Sequence, residues 1–323
     1  MSITPRGMSV QEAYRTYRDN KFIVNRKYQR KLVWTSEEKQ SLIDSILRDY
    51  PIPLILFAES TTDGHSSLEI IDGMQRLNAI FGFIENEFCI QGKYFDINQF
   101  ARAKQAADAG IFETSMEVEL LEPNICADFL DYQLAVTIFP SVSEEQVTEV
   151  FGRINSGGRQ LSWQEKRQAG QINEFSTIVR RLASEIRGDA SREVLFLSEM
   201  PEISIDTIRR GLGYSLKAEE IFWCKQGILW TKQLRESEDE EMLADICASI
   251  VLGEPIARSR ELLDKIYDNS SDEHRNIVMR LNSYGSDRVY EEIKVTLSVM
   301  REVIEANNPQ MNALRSIINP GST

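Results

Sequence analysis

The segment from Leu68 to Phe83 constrains the fold of this chain more than any other. It opens with a short apolar run, Leu68-Glu69-Ile70-Ile71, passes through Asp72-Gly73, and continues with Leu77, Ile80, Phe81 and Ile84. The first run is bounded by turn-forming residues, as strands are, whereas the later apolar positions recur three and four residues apart, as on one helix face. A change of period across a single glycine predicts strand, turn and helix. Such a corner is stable only when both pieces bury their apolar sides in a common core.

The flanking sequence supplies that core. Residues 8 to 19 read as a short amphipathic helix with Ser9 as N-cap, and Phe22-Ile23-Val24 as a strand. A helix opens at Ser36, partly capped through Lys39, and runs through Asp49 until Pro51-Ile52-Pro53 stops it. Leu54 to Phe57 is a buried strand, Thr61 to Ser67 a loop, and further strands are expected at Met116–Leu120 and Tyr132–Phe139. After about residue 143 the pattern turns helical. One helix leads from Ser143 to Asn155, and another starts at Ser162, which forms a capping box with Glu165. Five or six more are expected between Thr207 and Ile317, with breaks near Gly227, Gly253-Glu254-Pro255 and Tyr284-Gly285. The expected fold class is therefore α+β, with an α+β domain at 1–142 carrying a phosphate-binding turn and an all-helical domain at 143–323.

Composition removes several function classes. Only two histidines occur, His65 in a polar stretch and His274 among helix-surface charges. That scarcity excludes most His-metal enzymes, Ser-His hydrolases and an HNH nuclease site. Cysteines 89, 126, 224 and 247 are far apart, with no Cys-x-x-Cys pair, so they read as buried free thiols. No window approaches the roughly 18 apolar residues of a membrane span, and the N-terminus lacks a signal-peptide core, so a cytoplasmic location is expected. The net charge of −13 argues against a general nucleic-acid sleeve. The charge is uneven, however: seven cations face one anion between Arg15 and Lys31, while ten carboxylates face three cations between Glu236 and Asp268. A basic face on an acidic body fits a local phosphate site or, more plainly, a solvated surface.

Three segments carry candidate chemistry. At Ile71-Asp72-Gly73-Met74-Gln75-Arg76, a helix N-terminus would present unpaired N–H groups and the positive dipole end to an anion. Gly73 would let a phosphate approach, and Arg76 would add a guanidinium fork. Gln75 would orient a water or phosphate oxygen, and Asp72 would hold Mg²⁺ or polarise a water. The plainer alternative makes Asp72 an N-cap and pairs Arg76 with a surface carboxylate. In Tyr28-Gln29-Arg30-Lys31-Leu32-Val33-Trp34, the aromatics are either a base-stacking platform beside phosphate contacts or core anchors. In Phe151 to Glu165, Asn155-Ser156-Gly157-Gly158 is either a helix C-cap or a backbone that closes over a ligand, with Arg153 and Asn155 directed at it.

In this order and spacing, Gln29-Arg30 with Trp34, Pro51-Ile52-Pro53, Ile71 to Leu77 and Phe151 to Glu165 resemble the N-terminal domain family of GmrSD-type restriction systems. The resemblance covers about residues 8 to 170 and extends loosely to Leu262–Tyr267. It implies a ParB/sulfiredoxin-like core followed by helices, with nucleotide binding or hydrolysis tied to restriction of modified or foreign DNA. The family's Asp-Gly-Gln-Gln-Arg motif falls on Asp72, Gly73, Gln75 and Arg76, with Met74 replacing the first Gln. Many relatives also carry a C-terminal HNH nuclease, which two histidines cannot supply here.

These readings together lead to an expected nucleotide-binding, NTP-hydrolysing defence subunit that senses DNA and licenses a separate nuclease. Asp72, Gln75 and Arg76 are its candidate catalytic residues, and Asp72 is its metal ligand. Gln29, Arg30, Gly73, Arg76, Arg153, Asn155, Gly157 and Gly158 are candidates for nucleotide or phosphate contact. Arg26, Lys27, Lys31 and Trp34 are candidates for DNA contact. NTP and Mg²⁺ are the implied cofactors. DNA, a nucleotide, a separately encoded nuclease and a further copy of the chain are the expected partners, with no membrane. A non-catalytic DNA-sensing adaptor and a ParB-like nickase using Asp72 are the alternatives.

Overall fold

The computed structural model describes residues 5–26, 31–62, 65–114, 118–140, 146, 149–150, 162–168, 173–189, 192–200, 202–204, 215–256 and 259–307. The chain forms two units, residues 1–151 with 192–215 and residues 152–191 with 216–323. A later segment, residues 192–215, thus belongs to the first unit.

In that first unit a mixed sheet contains β1 (Pro5–Ser9), β2 (Phe22–Asn25), β3 (Ile55–Thr62), β4 (His65–Asp72), β7 (Gln133–Phe139) and β8 (Val194–Phe196), in the order β1-β7-β3-β4-β2-β8. Two short strands, β5 (Lys93–Tyr94) and β6 (Glu119–Leu120), pair separately. The helices are α1 (Val10–Arg18), α2 (Ser36–Leu47), α3 (Met74–Ile84), α4 (Ala101–Asp108) and α5 (Pro123–Asp131). β3 and β4 are antiparallel, while β2 runs parallel to β4 and β3 parallel to β7. Parallel neighbours need long crossovers, and the stretches containing α2 and α3–α5 provide them.

The core explains why α3 sits where it does. Phe81 stacks on Tyr17 of α1 at 4.5 Å, and Phe22 of β2 stacks on Phe57 of β3 at 5.1 Å. Leu77, Ile80, Phe81 and Ile84 are all buried, as their spacing predicts. Each such side chain contributes about 1.5–3 kcal/mol relative to exposure. The helix is therefore pinned along its length, and its first turn is fixed in space.

Several local expectations are revised. The cap of α2 is Thr35, not Ser36: the Thr35 hydroxyl accepts from Glu38 N at 3.2 Å and the Glu38 carboxylate accepts from Thr35 N at 2.8 Å. Thr35 and Glu38 have the spacing of a reciprocal box, which Ser36 and Lys39 lack. Thr61 to Ser67 is not a loop throughout, because Thr61 pairs with Ser66 and Thr62 with His65 as arms of a hairpin. Serines and threonines are tolerated where a hairpin extends beyond its core. The strand β8 is short, and sequence reasoning passed over it. Of the strand expected at Met116–Leu120, only Glu119–Leu120 lies in a described strand, and the helix expected from Ser143 to Asn155 lies mostly outside the described residues.

The second unit holds α6 (Trp163–Gln168), α7 (Glu174–Arg187), α8 (Phe222–Lys225), α9 (Thr231–Arg235), α10 (Glu238–Leu252), α11 (Arg260–Tyr267), α12 (Asp272–Tyr284) and α13 (Ser286–Asn307). Ser162 and Glu165 form the expected capping box, with bonds of 2.8 and 3.2 Å. Breaks at Gly253 and Gly285 fall as expected, each glycine taking a positive φ at a helix end. His274, expected at the surface, is buried, with Nδ1 2.8 Å from the Ile266 carbonyl oxygen. No helix among the described residues is long and apolar enough to cross a membrane.

Candidate phosphate site at the start of α3

The corner between β4 and α3 is built by local packing. Gly73 occupies φ +101°, the left-handed region, and a Cβ there would lie 2.9 Å from Ile55 Cγ2. The glycine is therefore required by backbone geometry and by the adjacent strand. Its missing side chain faces protein rather than an open approach for a ligand, which revises the reason given for it above. A β-bulge precedes the corner: Phe57 faces Ile70 and Leu56 faces Asp72, so Ile71 is the extra residue. Bulges re-aim the side chains that follow them, here Asp72 at the strand end.

Asp72 does not cap α3, since no side chain caps its N-terminus. Instead Asp72 Oδ2 accepts from Arg76 Nη2 at 2.6 Å, one helical turn later. The same Nη2 donates to the Leu54 carbonyl at 3.1 Å. A cation in the first turn opposes the helix dipole, and the Asp72 carboxylate offsets that cost. The Arg76 side chain is 13% exposed and Asp72 33%, while Arg76 Nε is buried with no hydrogen-bond partner among the described residues. The corner thus combines an uncapped helix N-terminus, a guanidinium with unused donor capacity, and a partly exposed carboxylate. Unpaired buried donors cost free energy, so an anionic oxygen would be favoured there.

Gln75 has a different environment from the one expected for a water-orienting residue. Its Oε1 accepts from Val33 N at 3.1 Å and Trp34 N at 3.3 Å, and its Nε2 donates to the Lys31 carbonyl at 2.7 Å. Both ends of the amide therefore clamp the Lys31–Trp34 backbone to the first turn of α3. Two distant segments meet the corner here. The Pro51-Ile52-Pro53 segment delivers the Leu54 carbonyl to Arg76, and the segment ending at Trp34 is tied to Gln75.

The basic stretch between Arg15 and Lys31 is not one solvent-facing stripe. Arg18 pairs with buried Glu85 at 3.0 Å, and Glu85 also accepts from the Tyr14 hydroxyl at 3.1 Å. Burial pushes the Tyr14 phenol well above its ordinary range, with the Glu85 charge adding to the effect. Arg26 and Lys31 are buried and Trp34 is half-buried, so three of the four candidate DNA contacts are built into the body. Lys27, Gln29, Arg30, Arg153, Asn155, Gly157 and Gly158 lie outside the described residues. Among the described residues, no three His, Cys, Asp or Glu side chains are grouped to hold a metal.

Sequence reasoning missed the Leu54 carbonyl and Ile55, because backbone acceptors and packing partners leave no residue signature. It also missed a buried ion cluster in the second unit. Arg187 Nε meets Asp239 at 2.5 Å and Nη2 meets Glu240 at 2.6 Å, all three side chains being at most 1% exposed. Burial alone would lower the Arg187 pKa, but the two carboxylates more than offset it and raise it. Part of the acidic run from Glu236 to Asp268 therefore faces inward.

The β4-bulge-α3 corner with its Asp-Gly-x-Gln-Arg turn lies within the stretch that a known family model matches. The family model for the GmrSD restriction endonuclease N-terminal domain matches residues 10–170, and the chain belongs to that family. It is accordingly a component of a restriction or defence system. No curated protein matches the chain at a significant level.

Proposed function

We propose that this chain is the nucleotide-binding subunit of its restriction system. It places NTP phosphates against the first turn of α3 and licenses a separately encoded nuclease when DNA is sensed. The observation that carries this reading is Arg76: a mostly buried guanidinium at an uncapped helix start, with Nε left without a partner among the described residues. A structural arginine would normally have its donors satisfied.

The Asp72–Arg76 pair sets conditions on binding. Asp72 already neutralises part of the Arg76 charge and would repel a phosphate placed alongside. Asp72 would be the residue to hold a Mg²⁺ ion, whose charge would offset that repulsion, and Mg²⁺ is commonly held by one or two carboxylates plus substrate phosphates. Asp72 suits that role only together with a nucleotide, since among the described residues no three His, Cys, Asp or Glu side chains are grouped to hold a metal. When bound, the metal would supply charge neutralisation and polarisation of a phosphoryl oxygen. Arg76 binds and orients the phosphate, and Gln75 acts by holding the Lys31–Trp34 segment in place rather than by touching the reacting atoms.

The test is calorimetric titration of the purified chain with NTP, with and without Mg²⁺. Binding that requires Mg²⁺ and falls at least tenfold in Arg76→Ala supports the reading. Absence of heat at millimolar nucleotide for both proteins rejects it.

A further inference from the structure

In the second unit, Trp163 opens α6 with its indole 54% exposed. Two cations flank the ring, Lys166 Nζ at 5.3 Å and Arg260 Cζ at 5.9 Å from its centroid. We propose that Trp163, Lys166 and Arg260 form a contact for single-stranded nucleic acid, in which a base stacks on the indole and neighbouring phosphates pair with the two cations. This goes beyond the nucleotide reading and does not depend on it.

The foundation under these residues is rigid. The capping box of Ser162 and Glu165 fixes the start of α6 and engages the nearest carboxylate. One turn after Trp163, Arg167 is 3% exposed and bonds Asp264 at 2.5 Å and Glu241 at 3.0 Å. Glu241 in turn lies 3.7 Å from Arg260 Nε and so steadies the second cation. Preorganised contacts lose less entropy when a ligand arrives.

Charge pairing distinguishes Lys166 from several other exposed cations of the unit. Other exposed cations there, such as Lys265, Arg275 and Arg288, lie against carboxylates. Lys166 has no carboxylate partner among the described residues, and its recorded contact is the indole face. On a chain of net charge −13, an exposed aromatic beside an uncompensated cation fits a phosphate-bearing aromatic ligand. Stacking tolerates any base, and arginine and lysine meet the backbone. An acidic polypeptide would satisfy the cations but would leave the indole unused.

The test uses the full chain and a fluorescently labelled oligothymidylate of about 20 nucleotides, enough for a site of this kind, followed by anisotropy across a salt series. Wild type should bind at low salt. Trp163→Ala should weaken binding about tenfold, the scale of one lost stacking contact, while Trp163→Phe should restore most of it. Removing both cations (Lys166→Gln with Arg260→Gln) should lower the salt slope by about 1.4, as for two single-strand phosphate contacts. Trp230→Ala, at a comparably exposed tryptophan, serves as the control that leaves affinity unchanged. The substituted side chains are at the surface, so thermal melts verify folding. Failure of wild type to bind, equal affinity of wild type and Trp163→Ala, or equally effective competition by polyglutamate would each overturn the assignment.

Discussion

Two arginines in this molecule meet carboxylates, and the contrast between them separates ligand chemistry from architecture. Arg187 lies between Asp239 and Glu240 with all three side chains sealed from solvent and Nε and Nη2 both bonded. Among the described residues Arg76 meets a single carboxylate that is one-third exposed, and it keeps a buried donor unpaired. The first arrangement has no capacity for a ligand without breaking the interior. On the proposed reading, the second would exchange its carboxylate partner for a phosphate. A buried, doubly bonded arginine is a poor candidate for function, whereas a partly satisfied one at a helix start is a good candidate.

Substitutions at the two places should therefore fail differently. Arg187→Ala strands two buried carboxylates, and a loss of about 3–5 kcal/mol is expected in chemical denaturation. A variant as stable as wild type would remove the architectural half of the contrast. Gly73→Ala forces a side chain into the left-handed region and against Ile55, and should cost about 2–4 kcal/mol. Its thermal midpoint reports this directly. Gln75→Ala removes three bonds to the Lys31–Trp34 backbone, for a loss of about 1–3 kcal/mol. Amide exchange at Val33 and Trp34 should accelerate while exchange in β7 stays unchanged. Were Gln75 instead a catalytic group, turnover would fall with no change in exchange at those amides.

The smallest expected effect is on pH. Burial pushes the Cys247 thiol up to about 12, and burial with the Asp239 and Glu219 charges pushes Cys224 to about 11. A thiol whose folded pKa is raised stays neutral in the native state after the unfolded chain has begun to ionise. Its contribution is fully present below about pH 8.5 and is lost as pH rises toward the folded values. For Cys247 this amounts to about 2 kcal/mol by pH 10 and to almost nothing at neutral pH. Cys247→Ser unfolding curves that keep the same pH dependence as wild type would assign the loss elsewhere.

Much of the fold was legible because period is a strong signal. The Leu68–Phe83 corner, the Ser9 cap and the Ser162–Glu165 box all follow from spacing within one element. The first-turn position of Arg76 was legible too, but its partner was not. Asp72 was read as an N-cap or metal ligand, because the bulge at Ile71 that turns it toward Arg76 arises from pairing with a distant strand. Gln75 looked like a chemical group because an amide beside a glycine turn suits water orientation; only the folded chain brings Lys31–Trp34 to it. The acidic run after Glu236 read as part of an acidic body, because its buried counter-charge, Arg187, lies about 50 residues earlier in the sequence. Contacts between distant residues carry no local pattern, and these are the places where reading from sequence alone stopped.

The most direct measurement is an amide-resolved NMR titration of the full chain with NTP and Mg²⁺. A phosphate seated against the first turn of α3 should shift the amides of Gly73 to Arg76 most, together with the Arg76 Nε–H, and Arg76→Ala should abolish those shifts. Unperturbed resonances at that corner, with changes confined to other parts of the molecule, would contradict the account.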